Sequence, residues 1–201
     1  MEDQLPLSNI RFTVTPESVS LFTTVLQSGI EVKTSHGKTL GKFLSNYQGF
    51  TAEYLADTVQ TIFLNGTAVD DLTLPLTGSN PVLALSAAMP GLAGAIFRKN
   101  SFHSALRTET NALRSESIQE KTITVTLKLF NSIARDRGGA LLKSGQVIKA
   151  DLLANFLNKR SNLWPQVLNI HFDQREIDPK ELLSLLSDSS RVNLYIVDTN
   201  G

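Results

Sequence analysis

Asn65-Gly66 lies within a β-prone run, Val59-Gln-Thr-Ile-Phe-Leu-Asn-Gly-Thr-Ala-Val69. A tight type I′ turn needs positive φ at both central residues, and Asn-Gly is the pair that best tolerates it, so a hairpin is predicted here. A second apolar run, Val82-Leu-Ala-Leu85, follows a loop carrying Pro75, Gly78 and Pro81. A two-stranded hairpin is marginal alone and needs further strands or a covering helix. That requirement constrains the reading of everything else in the chain.

Before the hairpin, Ile10-Arg-Phe-Thr-Val14 alternates apolar and polar, the period of a half-buried strand. Thr15-Pro16-Glu17 resembles a helix start, and Val19, Phe22, Val25 and Leu26 follow at helical spacing, with a strand reading of the same residues also open. Ile30-Glu-Val32 is a short strand. Thr39, Leu40, Phe43 and Leu44 suit a two-turn helix, and Phe50 to Asp57 a second helical piece. Beyond the hairpin, Phe97 to Glu120 is polar and is read as a linker, helical in part over Ser104 to Arg114.

Ile123, Val125, Leu127 and Leu129 then alternate with Thr124, Thr126 and Lys128, the cleanest strand pattern in the chain. Gly138-Gly139 is expected to break the turn after it, with Ala140-Leu-Leu142 or Val147-Ile148 pairing back. Asp151 heads a helix carrying Leu152, Leu153, Phe156 and Leu157. Val167 to Phe172 is a strand, and Asp173-Gln-Arg-Glu176 its turn. Asp178-Pro-Lys-Glu181 is a capping box with Pro at the first helical position, leading into Leu182, Leu183, Leu185 and Leu186. Val192, Leu194 and Ile196 form a last strand. Strand, helix, hairpin, loop and strand thus occur twice, an α+β pattern.

The 201 residues include no cysteine, which excludes disulfides, thiolate nucleophiles and Cys-ligated metal. The acidic start Met-Glu-Asp-Gln-Leu-Pro is not expected to be a secretory signal, and no apolar run reaches the ~18 residues that span a bilayer. A cytoplasmic protein without membrane contact is expected. Residues 1–95 hold four Lys/Arg against eight Asp/Glu, and the remainder offsets them to a net charge of zero. Nucleic-acid binding needs clustered Lys/Arg, so no nucleic-acid partner is expected.

In Thr39-Leu-Gly-Lys-Phe-Leu44, Phe63-Leu-Asn-Gly-Thr-Ala-Val69, Leu76-Thr-Gly-Ser79 and Val82-Leu-Ala-Leu85, the chain resembles the β-grasp, ubiquitin-like superfamily. Within it, the chain is most similar to the sulfur carriers of thiamine and molybdopterin synthesis. Val125-Thr-Leu-Lys-Leu-Phe130 with Ile133-Ala-Arg-Asp-Arg-Gly138 resembles that family's first strand and turn. The resemblance implies two β-grasp-like domains in tandem, residues 1–95 and 122–201, joined by a polar, partly helical linker at 96–121. It also implies a carrier alternative, in which the terminal carboxylate of Gly201 would be adenylated by an activating-enzyme-like partner and converted to a thiocarboxylate. The family's penultimate Gly is Asn200 here. The segment Met89-Pro-Gly-Leu-Ala-Gly94 resembles the family's tail, placed mid-chain.

No catalytic constellation, metal site or cofactor site is expected. Gly37-Lys38-Thr39 lacks the Gly five positions before Gly37 that a phosphate loop needs (Val32 stands there), so it reads as a turn before a helix. Asp70-Asp71 reads as a turn cap, since adjacent strand residues point to opposite faces. His36, His103 and His171 lack metal-ligand spacing. The small, apolar, nearly uncharged stretch Ser86 to Ala95 is the feature with most functional content. Met89, Pro90, Gly91, Leu92 and Gly94, extended by Phe97, Arg98 and Phe102, are expected to form a partner-binding surface. The resulting expectation is a non-catalytic protein-interaction or adaptor module.

Overall fold

The computed structural model describes residues 7–89, 91–99, 101–102 and 121–199. The chain is α+β, with two five-stranded mixed sheets. It divides into two compact units: Met1–Glu31 with Ala134–Gly201, and Val32–Ile133.

In the first unit the strands are β1 (Ser8–Val14), β7 (Gln146–Lys149), β8 (Val167–Phe172), β9 (Arg175–Glu176) and β10 (Arg191–Asp198), in the order β7-β10-β1-β8-β9. β1 runs parallel to β10, from Ser8 opposite Val192 to Val14 opposite Asp198, and antiparallel to β8. Its alternation is as the pattern requires: Ile10, Phe12 and Val14 are fully buried while Arg11 is exposed. Phe12 packs on Phe22 and Trp164, with ring centroids 5.7 and 6.4 Å away. Phe22 belongs to the short helix α1 (Val19–Phe22), set between two 3₁₀ turns at Pro16–Ser18 and Thr23–Gln27. The helical reading of this stretch therefore holds over the strand reading. The Thr15 hydroxyl, however, bonds to Ser18 Oγ at 2.9 Å rather than capping the backbone.

The second unit orders its strands β2-β6-β5-β3-β4. These are β2 (Ile30–Ser35), β3 (Thr61–Leu64), β4 (Thr67–Ala68), β5 (Val82–Ser86) and β6 (Thr122–Leu129). Asn65 (φ 51°) and Gly66 (φ 84°) make the two-residue turn between β3 and β4, as the Asn-Gly signal requires. β5 lies antiparallel to β3 and parallel to β6, with Leu83 opposite Leu127. The helices α2 (Leu40–Ser45) and α3 (Ala52–Asp57) are capped by Thr39 and Thr51, each accepting a backbone N–H. Leu40, Leu44, Ile62, Leu64, Leu83, Leu85, Val125 and Leu127 are buried in the core.

Both sheets follow one plan. A parallel central pair is flanked on one side by an edge strand that leads into a helix. On the other side lies an antiparallel strand that turns, through two residues, into a two-residue strand. β2 leads to α2, and β7 leads to α6 (Ala150–Asn158). In the second hairpin Asp173 (φ 54°) takes the place that Asn65 has in the first.

The units interleave along the chain and do not follow the consecutive division 1–95, 96–121 and 122–201. β1 belongs to the sheet built from residues 146–198, and β6 to the sheet built from residues 30–86. The exchanged strands occupy opposite central positions, β1 beside β8 and β6 beside β2. Alternation records which face of a strand is buried; it does not record which strands lie on either side.

Two local expectations are corrected. Gly138-Gly139 does not break the chain: both lie within α5 (Asn131–Ser144), an uninterrupted helix. A Cβ at Gly138 would come 2.7 Å from the Thr23 side chain, so the glycine serves close packing instead. Val147-Ile148 pairs with β10 rather than returning to β6, and Ala140 to Leu142 is helical. The capping box at Asp178 is present, with Asp178 Oδ1 accepting from Glu181 N at 2.8 Å at the start of α7 (Pro179–Ser187). The Glu181 carboxylate turns to Arg175 instead of reaching back to the cap. The linker helix expected over Ser104 to Arg114 lies outside the described residues.

Candidate functional site

From Val82 to Leu85, β5 is apolar on both faces. Leu83 and Leu85 point into the core, so Val82, Ala84 and Ser86 share the opposite face, with Phe63 of β3 in register with Ala84. On that opposite face lies a cleft of about 570 Å³, lined by Phe63, Gly66, Val82, Ala84, Ser86, Met89, Phe130 and Asn131. Val82 to Ser86 extends about 13 Å at the rise of a β-strand, from the hairpin turn at Gly66 toward Asn131. Among the described residues no charged side chain lines this cleft.

Among the described lining residues its polar side chains are those of Ser86 and Asn131. Ser86 is 5% exposed, and its Oγ accepts from Asn131 Nδ2 at 2.8 Å. Asn131 begins α5 at φ 54°, a left-handed conformation that Asn tolerates better than other residues with a Cβ. Phe130 N donates to Leu85 O at 2.9 Å and extends the β5–β6 ladder to the cleft.

The chain after β5 turns back over this face. Helix α4 (Gly91–Phe97) carries Phe97 onto Phe63, with ring centroids 5.3 Å apart. Any Cβ at Gly94 would overlap the Met89 carbonyl, so a glycine is required where the segment doubles back. Arg98 Nε donates to Gln60 Oε1 at 2.9 Å. Lys99 Nζ donates to the carbonyls of Leu55, Ala56 and Val59 at 2.8, 3.3 and 3.0 Å, the first two being orphan acceptors in the last turn of α3. Desolvation holds the Lys99 ammonium below its ordinary pKa, against the opposing pull of Asp70 and Asp57. A polar hollow formed by Asp57, Gln60, Arg98, Lys99, Ser101 and Phe102 adjoins these anchors.

Of the expected partner-binding residues, Met89 lines the cleft and Phe97 packs beside its Phe63 wall. Gly94 permits the fold-back, Arg98 anchors it, Leu92 stands 71% exposed on α4, and Gly91 is exposed. Pro90, Asn200 and Gly201 lie outside the described residues. Residues 91–97 are helical, so this stretch is not an extended tail. Phe63, Val82, Ala84, Phe130 and Asn131 were not singled out as site residues. The available signal was a strand, Val82 to Leu85, with no polar residue on either face.

The remaining candidates resolve into local structure. Asp71 Oδ1 accepts from Thr73 N and Oγ1 at 2.8 and 2.7 Å, which holds its carboxyl below the usual pKa and makes it a turn cap. Gly37 N and Leu40 N donate to Leu76 O and Leu74 O, so these amides are committed to the neighbouring loop and not turned toward a phosphate. Among the described residues no three His, Asp or Glu are grouped to hold a metal ion, and no helix is long and apolar enough to cross a membrane. No family model, curated protein or solved structure matches this chain.

Proposed function

We propose that this protein is a non-catalytic interaction module built from two β-grasp-like units, interleaved along the chain, and that the 63–131 cleft with helix α4 takes up an apolar portion of a partner protein. The fold part of the proposal is supported by the shared plan of the two sheets, each with a parallel central pair and a helix after its edge strand. The functional part rests on one observation. Met89, in the segment expected to bind a partner, lines an apolar cleft whose described lining residues carry no charge, and Leu92 stands exposed on the helix that follows. A cleft of this size and lining is suited to binding and offers no nucleophile with an adjacent base.

Paired affinity captures test this, comparing the wild-type chain with Ala84→Leu, which fills the cleft, and Leu92→Asp, which charges the exposed face of α4. A protein retained by the wild type and lost from both variants is the expected result. A set of retained proteins identical across all three, or none retained by the wild type, overturns the proposal.

A further inference from the structure

We infer that the cleft reads an uncharged amide beside an apolar side chain, and so takes a neutral, apolar stretch of peptide rather than an acidic or basic one. This deepens the interaction reading above and rests on it. The apolar wall is formed by Phe63, Val82, Ala84, Met89 and Phe130, and its polar component comes from the side chains of Ser86 and Asn131.

The hydrogen-bond inventory of that pair sets the chemistry. Asn131 offers two N–H donors and an oxygen acceptor, and one donor is used on Ser86 Oγ. Ser86 Oγ accepts that bond, which leaves its own O–H to donate, although the residue is 5% exposed. The Ser86 hydroxyl is buried, and leaving its proton without an acceptor costs free energy, whereas Asn131 is exposed, so a ligand N–H can replace water at its Oδ1. A peptide group supplies the matching set, a carbonyl for the O–H and an N–H for Asn131 Oδ1. A carboxylate supplies acceptors alone and an ammonium donors alone. Either charge would also have to leave water for a cleft in which no described residue offers a charged side chain to pair it. The backbone at Asn131 is held at φ 54°, so the amide is presented from a defined turn and not from a free loop.

Three probes sharing one benzyl group test this on the full chain by amide NMR: toluene, N-acetyl-phenylalanine N-methylamide and N-acetyl-phenylalaninate. The expected result is perturbation of Ala84, Ser86, Met89 and Asn131 signals, with the neutral amide binding at least tenfold more tightly than toluene or the carboxylate. Asn131→Gly, which keeps a residue suited to φ 54°, should abolish the tenfold preference of the neutral amide over toluene. Equal affinity for toluene and the amide, or a preference that survives in Asn131→Gly, overturns the amide inference while toluene binding keeps the cleft. Failure of all three probes to move these signals removes the cleft reading and this inference with it.

Discussion

At Asn131 conformation and chemistry can be separated by substitution. The left-handed φ of 54° is strained for a residue with a Cβ, and Asn is among the few that bear it. Asn131→Ala keeps the strain and loses the bond to Ser86, leaving a buried hydroxyl without its donor. It should lower unfolding free energy by about 2 kcal/mol. Asn131→Gly loses the same bond but relieves the backbone, and should cost about 1 kcal/mol less than the alanine. Urea denaturation of the two variants measures the difference; equal losses would mean that the backbone at this residue is unstrained. Nothing in Phe130-Asn131 as sequence marks it as special, because a positive φ at Asn depends on the strand that enters and the helix that leaves. Asn65-Gly66 was legible for the opposite reason: both residues of that turn are the types its geometry demands.

Elements were legible where a cap or an alternation belongs to the element alone. Thr39, Thr51 and Asp178 start their helices, and Ile10 to Val14 and Ile123 to Leu129 are strands. Helix α5 was missed because Gly138 and Gly139 read as breakers, whereas Gly138 is small to admit the Thr23 side chain. Helix α4 was legible as a functional segment but not as a helix, since its hold comes from contacts distant in sequence. Lys99 is the main one. Replacing it with Met leaves three carbonyls, two in the last turn of α3 and one just after it, without their charged donor and should cost about 2 kcal/mol. Hydrogen exchange should then quicken over residues 52–59 and 91–99 while β1 and β10 stay protected; unchanged exchange in both segments would show that the Lys99 side chain does not hold α4. The aromatic row Phe43, Tyr47, Phe50 and Tyr54 makes a second element-scale prediction. Burial raises the Tyr47 phenol above its ordinary pKa, so its neutral form is favoured in the folded state. Above about pH 10 the unfolded chain loses this proton first, and stability falls as pH rises, by about 1.4 kcal/mol at pH 11. Below pH 10 the group contributes no slope. Denaturant midpoints of wild type and Tyr47→Phe from pH 8 to 11 should diverge only above pH 10, and parallel curves throughout would count against a buried phenol.

For the molecule as a whole, the decisive fact is which strands share a sheet, and local pattern carries little of it. β1 and β6 each alternate as half-buried strands should, yet each completes the sheet of the other half of the chain. Closing a long loop costs little more than closing a moderate one, so pairing Ser8 with Val192 is not penalised in proportion to its separation. Parallel partners moreover require a long connection, which consecutive hairpins cannot provide. The interleaving makes a prediction that separates it from a consecutive arrangement. Residues 1–95 alone lack β6, so β2 loses its neighbour and β5 its parallel partner. Residues 122–201 alone lack β1, which leaves the β8–β9 hairpin detached from β10. Each fragment therefore exposes the apolar flank of a central strand: residues 1–95 keep only β5-β3-β4 without their parallel neighbour, and residues 122–201 keep two separate strand pairs, fewer than a small sheet needs. Expressed separately, both should give collapsed amide NMR spectra and no cooperative thermal transition. Mixed in equal amounts they contain every strand of both sheets, and dispersed signals with a cooperative transition should return. If either fragment folds cooperatively alone with native-like dispersion, β1 and β6 are dispensable to the sheets they join, and the interleaved topology is wrong.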